Sequence, residues 1–205
     1  MDEALRVILV GGTSHLGKTT AAQAIASMLG WKVASTDKLA RHPGRPWQRP
    51  PFVVPPHVSD HYRNLVHDEL IASVLAHYRS MLPTIETLVR SHAKDATAQR
   101  LVLEGSAILP EQARALTTRN IAAVWLTGND RLIQSRIHSE SRYDTAGEWS
   151  RFMIDKFLER SRRFNRIIEE GVRQFRLPRV EVTEDVPAEQ VAERILAVAR
   201  PSHPR

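Results

Sequence analysis

The sequence predicts an α/β domain whose parallel sheet is covered by helices on both faces. Five short apolar runs alternate with segments of helical periodicity, and this alternation is typical of doubly wound parallel sheets. The first run, residues 5–10, is apolar at almost every position, as expected of a strand buried on both faces. A chain of 205 residues suffices for one such domain with an insertion, so we expect residues 1–205 to form a single domain.

The predicted strands are apolar runs that end at turn residues or at residues that begin helices. They cover residues 5–10, 31–36, 100–103, 121–126 and 179–183. The predicted helices have apolar residues at intervals of three and four. They cover residues 19–29, 59–78, 84–92, 110–116, 130–139, 149–175 and 187–199. Gly30 ends the first helix, Pro83 separates the second from the third, and Pro187 begins the last.

Three segments fall outside this alternation. Residues 38–95 form a long insertion between the second and third strands, and its prolines between residues 41 and 56 exclude regular structure there. The charge-rich residues at about 138–150 are expected to form a mobile lid. The proline-containing residues 200–205 are expected to form a disordered tail.

A glycine-rich segment, GGTSHLGKTT, links the first strand to the first helix and has the spacing G-x-x-x-x-G-K-[ST]. Glycines let successive backbone N–H groups turn toward one anion, and the helix that follows directs its positive end at that anion. Lys18 is expected to reach the β- and γ-phosphates of a nucleotide, and the Thr19 hydroxyl to bind Mg²⁺. The predicted nucleotide-binding residues are Gly12, Thr13, Ser14, His15, Leu16, Gly17, Lys18, Thr19 and Thr20.

His15 stands in the middle of this loop, where many such loops have glycine. Its backbone N–H can still face a phosphate, whereas its imidazole would project from the loop. We expect the imidazole to contact the nucleotide or the lid. The alternative is a tolerated substitution without a role.

Polar residues also stand where other strands end, and open α/β sheets bind their ligands at those ends. Asp37 would accept a proton from an acceptor hydroxyl or orient it, unless it only caps a helix. Glu104 is a second expected Mg²⁺ ligand, unless it is a surface carboxylate. Thr183 is placed near an adenine, although a plain strand-to-helix turn would have the same sequence features.

Arginines near the predicted lid could stabilise a transferring phosphoryl group, which needs positive charge and the exclusion of water. Arg136 and Arg142 flank the lid, and we expect one or both to act in catalysis by closing over the nucleotide. The arginines of the helix over residues 149–175, Arg160 among them, are expected to form mostly a solvated face paired with glutamates.

The insertion between the second and third strands is the predicted acceptor side. Arg41, Arg45 and Trp47 belong to a proline-rich segment, and a rigid segment loses little entropy on binding. We expect them to contact a phosphate, a carboxylate or a flat ring of the acceptor; the alternative is a packed surface loop. Six of the nine histidines lie here, but no third ligand accompanies His57 and His61 at a convincing spacing, so a metal site is not expected.

Composition narrows the function classes. The net charge of +6 fits phosphate-rich ligands, although arginines on solvated faces would give the same balance. The absence of cysteine excludes disulfides and cysteine-bound metals and suits a reducing cytoplasm. No apolar stretch is long enough to span a membrane. We therefore expect a cytoplasmic monomer or homodimer without a membrane partner.

The segments GGTSHLGKTT, Ser35-Thr36-Asp37 and Val102-Leu103-Glu104-Gly105, together with Arg136, resemble the P-loop small-molecule kinases. The resemblance is closest to the 2-phosphoglycerate kinase-like group and more distant to chloramphenicol phosphotransferase, zeta toxins and gluconate or shikimate kinases. It covers residues 5–40 and 100–199 and implies a P-loop NTPase sheet in the order 2-3-1-4-5, a mobile lid, and ATP with Mg²⁺. In several of these relatives, an aspartate at the position of Asp37 contacts or deprotonates the acceptor hydroxyl.

These features predict an ATP-dependent kinase that phosphorylates a hydroxyl of a small metabolite or antibiotic, anionic acceptors included. One alternative is a nucleic-acid-end kinase; the charge of +6 would suit it, but no lysine-rich or aromatic-interleaved stripe is present. A second alternative is a non-enzymatic nucleotide sensor, which would lack an acceptor pocket beside Asp37.

Overall fold

A five-stranded parallel sheet forms the centre of the fold, in a computed structural model that describes residues 4–42, 44–48, 53–184 and 186–199. The strands are β1 (Val7–Gly12), β2 (Lys32–Ser35), β3 (Leu101–Glu104), β4 (Ile121–Thr127) and β5 (Arg179–Glu181). Their order is β2-β3-β1-β4-β5, which confirms the predicted fold class and strand order. β1 lies in the middle, where Val7 is paired with Leu101 of β3 and with Ile121 of β4.

Helices cover both faces of the sheet. They are α1 (Lys18–Leu29), α2 (Pro56–Asn64), α3 (His67–Ser80), α4 (Leu82–Lys94), α5 (Pro110–Leu116), α6 (Asp130–Ser141), α7 (Glu148–Gln174) and α8 (Ala188–Val198). Side chains alternate along each strand, so Ile8 and Val10 join one hydrophobic core while Val7 and Leu9 join another on the opposite face. No helix among the described residues has the length and apolarity needed to cross a membrane.

The predicted single helix over residues 59–78 is wrong, because the chain forms α2 and α3 there. Leu65 and Val66 separate the two helices and have extended backbone, with ψ of 137° and 170°. The backbone N–H of Val66 donates to the Glu69 carboxylate over 2.9 Å. This contact satisfies an N–H at the start of α3 and fixes the point at which the second helix begins.

The long helix α7 connects the two cores and the insertion. Phe157 packs in the core shared with α1 and α8, whereas Phe164 and Ile168 pack in the core on the other face. Arg163 of α7 pairs with Asp68 of α3, which links the insertion to α7. α7 therefore holds the insertion beside the carboxyl ends of the strands. The predicted tail at 200–205 lies outside the described residues.

Candidate active site

An open cleft of about 670 Å³ lies at the carboxyl ends of β1, β2 and β3, where open α/β sheets bind their ligands. One side of the cleft is formed by the phosphate loop, which comprises residues 11–19. The other side is formed by α3, α7 and the proline-rich loop, residues 41–55, of which residues 41, 42, 44–48 and 53–55 are described. The end of α6 contributes to the lining between them.

The backbone of the phosphate loop has the conformation that its glycines permit. Gly17, directly before α1, has a φ of 81°. Gly12 has a φ of 129° and lies so close to β4 that a Cβ there would be 2.5 Å from the Leu126 carbonyl oxygen. A side chain at either position would be strained, so the loop shape depends on these two residues.

Lys18 is the buried cation of this loop and is only 8% exposed. Its Nζ donates to the Thr13 carbonyl oxygen over 2.8 Å, which folds the side chain back across the loop. Burial lowers the pKa of the Lys18 ammonium, and the nearby carboxylates of Glu104 and Asp37 oppose this effect. The ammonium is therefore placed where an anion in the loop would complete its interactions.

The two acidic residues predicted for the site both line the cleft. Asp37 lies in a short 3₁₀ turn, Thr36–Lys38, whose first residues are capped by the Ser35 hydroxyl and not by Asp37. The Asp37 carboxylate is 72% exposed and lies 3.8 Å from the His42 ring nitrogen Nε2. Glu104 is buried, so it is not a surface carboxylate.

His15 is held from several sides. It has a φ of 66°, in the left-handed region, where histidine is among the more tolerated residues. Its ring nitrogen Nε2 lies 2.9 Å from the Glu140 carboxylate on α6, and its ring packs against Trp47 and Phe157. Burial lowers the pKa of the His15 imidazole, and Glu140 opposes this effect. The imidazole thus contacts the segment predicted as the lid.

The predicted lid, residues 138–150, contains the end of α6, a short turn at Tyr143–Thr145 and the start of α7. The rings of His138 and Tyr143 stack at 3.9 Å, and Arg151 donates to the carbonyl oxygens of Tyr143 and Asp144. These contacts give the segment a defined conformation.

The two arginines predicted for the lid differ in placement. Arg136 lines the cleft, and its Nη1 donates to the His15 carbonyl oxygen over 3.0 Å. Arg142 ends α6 in a left-handed conformation, is exposed, and does not line the cleft. Arg136 is therefore the better placed of the two to contact a phosphate.

Arg160 is the site residue that the sequence misplaced. It is 7% exposed and lines the cleft, so the expectation of a solvated position is wrong for this arginine. Its guanidinium donates to the Tyr62 hydroxyl and lies 4.4 Å from the centre of the Phe157 ring. No carboxylate pairs with it in the described part of the chain. Burial raises the pKa of Tyr62 to about 12, so that hydroxyl stays neutral.

The spacing of Arg160 from its apolar neighbours in the sequence could have predicted that it is buried. Arg160 follows Phe157 by three residues and precedes Phe164 by four, so it lies on the apolar stripe of α7. A charged residue on a buried stripe has to be paired or functional. His42, Tyr78, Ser106 and Glu140 also line the cleft and were not singled out by the sequence.

Several predicted site residues lie outside the cleft lining. Arg41 is exposed and contacts the His57 ring, and Thr183 is exposed after β5. Trp47 is 7% exposed because its ring fills the core beside His15 and Phe157. Three predicted nucleotide-binding residues of the phosphate loop pack inward and do not line the cleft, namely Gly12, Thr13 and Leu16. The lining comes instead from Ser14, His15, Gly17, Lys18, Thr19 and Thr20, with Arg45 on the opposite side.

No protein-family model matches the sequence, and no curated protein sequence matches it either. Solved structures match almost the whole chain. A gluconokinase from Sinorhizobium meliloti 1021 has 18% identity and a TM-score of 0.53, covering 94% of this chain and 90% of that one. A shikimate kinase from Acinetobacter baumannii in complex with shikimate has 16% identity and a TM-score of 0.52, covering 95% of this chain and 92% of that one.

A deoxyadenosine kinase from M. mycoides with bound dATP has 14% identity and a TM-score of 0.53, covering 93% of this chain and 97% of that one. At such identities, the similarity establishes the fold. It agrees with the strand order β2-β3-β1-β4-β5 and with a glycine-rich loop between β1 and α1. The chain therefore has the fold of the P-loop small-molecule kinases.

Proposed function

We propose that this protein is an ATP-dependent kinase that transfers the γ-phosphate to a hydroxyl of a small metabolite. The observation that supports this most directly is that one cleft contains both the phosphate loop with Lys18 and the Asp37 carboxylate. A donor phosphate and an acceptor hydroxyl can therefore bind side by side, with Asp37 on the acceptor side. Enzymes accelerate phosphoryl transfer mainly by positioning the two reactants and by stabilising the charge of the transferring group.

The residues of the phosphate loop fit a nucleotide triphosphate with Mg²⁺. Thr19 and Glu104 offer the oxygen ligands that Mg²⁺ prefers, and both line the cleft beside Lys18. In the described part of the chain no group of three or more His, Cys, Asp or Glu side chains could hold a metal ion, which suits an ion bound mostly by phosphates and water. When bound, Mg²⁺ neutralises charge on the β- and γ-phosphates.

Asp37 is proposed to act on the acceptor hydroxyl. The hydroxyl oxygen forms a bond to the γ-phosphorus while the bond between that phosphorus and the bridging oxygen of ADP breaks. The hydroxyl proton passes to the Asp37 carboxylate. Lys18 and Arg136 stabilise the charge on the transferring group from the donor side.

Arg160 and Arg45 give the acceptor side a positive charge. We propose that the acceptor carries an anionic group beside the hydroxyl, since a buried guanidinium without a carboxylate partner favours an anion. The sequence resemblance to the 2-phosphoglycerate kinase-like group supports an acceptor of this chemical class. The name of the gluconokinase and the shikimate bound to the shikimate kinase are consistent with a small hydroxylated acceptor.

The test is phosphate transfer from γ-labelled ATP to pooled acceptors, namely hydroxy acids, neutral polyols and oligonucleotides with a free 5′-hydroxyl. We expect transfer to the hydroxy acids. In an Asp37→Asn variant, we expect nucleotide affinity to be kept and transfer to fall by about a hundredfold or more, because general base catalysis contributes that much. An Asp60→Asn variant is the matched control, since Asp60 is an exposed aspartate on α2 whose partner is Arg63.

Each alternative function has a distinct outcome in the same experiment. Transfer to the oligonucleotide with a steep dependence on salt would identify a nucleic-acid-end kinase. Nucleotide binding without transfer to any pool would contradict the proposed hydroxy-acid kinase and favour a sensor. Unchanged turnover in Asp37→Asn would refute the role of Asp37.

A further inference from the structure

Glu140, near the end of α6, contacts two loops on opposite sides of the cleft. One carboxylate oxygen, Oε2, lies 2.9 Å from the His15 ring nitrogen in the phosphate loop. The other, Oε1, pairs with the Arg45 guanidinium in the proline-rich loop. The His15 side chain is 4% exposed and that of Glu140 is 25% exposed, so the contacts are partly shielded from water. One side chain therefore links the donor side of the cleft to the acceptor side.

α6 holds His15 at two points. Arg136 and Glu140 are four residues apart and therefore lie on the same face of the helix. Arg136 binds the His15 carbonyl oxygen and Glu140 contacts the His15 imidazole. His15 has a φ of 66°, a conformation that is less favourable for histidine than for glycine, and these contacts help to hold it there.

The proline-rich loop also contacts His15 directly. Trp47, two residues after Arg45, packs its ring 5.9 Å from the His15 ring and 4.8 Å from the Phe157 ring. The loop thus supports His15 through the Trp47 ring and through the Arg45–Glu140 pair. If Arg45 moves away, its positive charge no longer offsets the negative charge of Glu140, which contacts His15.

We propose that Glu140 is a positioning residue that couples the proline-rich loop to the phosphate loop, so that the state of Arg45 sets the affinity for nucleotide. The assignment of the two loops as acceptor side and donor side rests on the proposed function. An anionic acceptor that contacts Arg45 shares this guanidinium with Glu140 and alters the support of His15. Because coupling between two sites is reciprocal, bound nucleotide changes the affinity for the acceptor by the same factor.

The experiment is a double-mutant cycle on nucleotide affinity without an acceptor. Calorimetric titration with a non-hydrolysable ATP analogue compares the wild-type protein with Arg45→Ala, Glu140→Ala and the double variant. We expect Arg45→Ala to raise the dissociation constant about fivefold or more, since loss of the Arg45 contact changes how Glu140 holds the His15 imidazole in the phosphate loop. In the Glu140→Ala background the same change is expected to have less than about a twofold effect.

A second background tests the path through His15. His15→Gly keeps the loop conformation, because glycine adopts a positive φ without strain. Arg45→Ala is expected to have less than about a twofold effect in this background too. Glu159→Ala is the matched control, since it removes another glutamate–arginine pair, with Arg163, away from the phosphate loop. Arg45→Lys keeps the charge and is expected to recover most of the affinity.

Equal effects of Arg45→Ala in all three backgrounds would overturn the proposal, as would no effect in any of them. If Glu140→Ala does not fold, as judged by its melting temperature, the proposal is tested by the effect of Arg45→Ala in the His15→Gly background alone. No transfer takes place in this experiment, so failure of the kinase assay leaves the coupling result standing. A wild-type protein that does not bind the nucleotide analogue would overturn both proposals.

Discussion

Two buried cations, Lys18 and Arg160, lie on opposite sides of the cleft and differ in their surroundings. Lys18 is close to Glu104 and Asp37, whereas Arg160 contacts a hydroxyl and aromatic rings. A buried charge without a counter-ion is unfavourable until an anion binds. At the scale of single residues, we therefore propose that Arg160 sets the charge preference of the proposed acceptor side.

Replacement of Arg160 by methionine separates its role in binding from any role in folding. We expect Arg160→Met to keep or raise the melting temperature, because an uncompensated buried charge is removed while the volume is largely kept. We also expect the KM for an anionic acceptor to rise about tenfold or more, and that for a neutral polyol to stay unchanged. Steady-state kinetics with both acceptors is the measurement.

The matched control for this prediction is Arg166→Met on the same helix. Arg166 is exposed and pairs with Asp130 at the surface, so its replacement should affect neither acceptor. An equal loss of activity toward the anionic and the neutral acceptor in Arg160→Met would contradict a role in charge selection.

At the scale of elements, the ends of β2 and β3 approach each other closely at Gly105. A Cβ on Gly105 would lie 1.7 Å from the Thr36 hydroxyl oxygen, and Gly105 has a φ of 150°. Gly105 follows Glu104 directly, and Thr36 precedes Asp37 directly. This contact therefore sets the distance between the two strand ends that place the acidic residues.

Gly105→Ala is expected to lower the free energy of unfolding by at least about 2 kcal/mol, because backbone strain and overpacking add at one position. Urea denaturation measures this change in the free energy of unfolding. Gly147→Ala is the control, since nothing lies within 4 Å of a Cβ there and its φ is −66°. Thr36→Ala in the Gly105→Ala background should recover part of the loss, and no recovery would contradict a clash between these two residues.

The features that could be predicted from the sequence depend on residues that are close together along the chain. Each of the five strands was placed to within a few residues, and the phosphate loop was found from its glycine spacing between a strand and a helix. The break between α2 and α3 was missed, because apolar residues continue at helical spacing across it. The break depends on Glu69, whose side chain reaches back to the Val66 backbone. A hydrophobic pattern does not report such a contact.

The proposed acceptor side was the harder part of the cleft to predict, because distant segments meet there. Arg160 is buried through its contact with Tyr62, which is 98 residues earlier in the sequence. Trp47 was expected to contact the acceptor but fills the space between His15 and Phe157. Which side of a residue faces the cleft depends on how the insertion packs against α7, and no local pattern contains that information.

At the scale of the whole molecule, we expect three buried or partly buried histidines to make stability depend on pH. Burial lowers the pKa of His15, His61 and His77. Below about pH 6.5, the unfolded chain takes up protons on these imidazoles that the folded chain does not. We therefore expect the free energy of unfolding to fall as the pH is lowered from about 7 toward 5, and to be nearly constant just above pH 7.

Urea denaturation at a series of pH values measures this dependence. Replacement of the three histidines by glutamine should make the decrease between pH 7 and 5 smaller, because the glutamines bind no proton. Stability that rises on acidification in this range would contradict the lowered pKa values.

The central place of β1 also affects how the chain is made. β1 is paired with Leu101 and Ile121, which lie about a hundred residues later in the sequence, and the loop that follows β1 packs against Leu126 and Ser161. When residue 100 has been added to the growing chain, the phosphate-loop sequence is complete, but β4 and α7, against which the loop packs, have not yet been synthesised. Because such long-range pairings form late, the apolar residues 5–10 stay unpaired at least until β3 and β4 have been synthesised. We therefore expect nucleotide to assist folding only after α7 has been synthesised as far as Ser161.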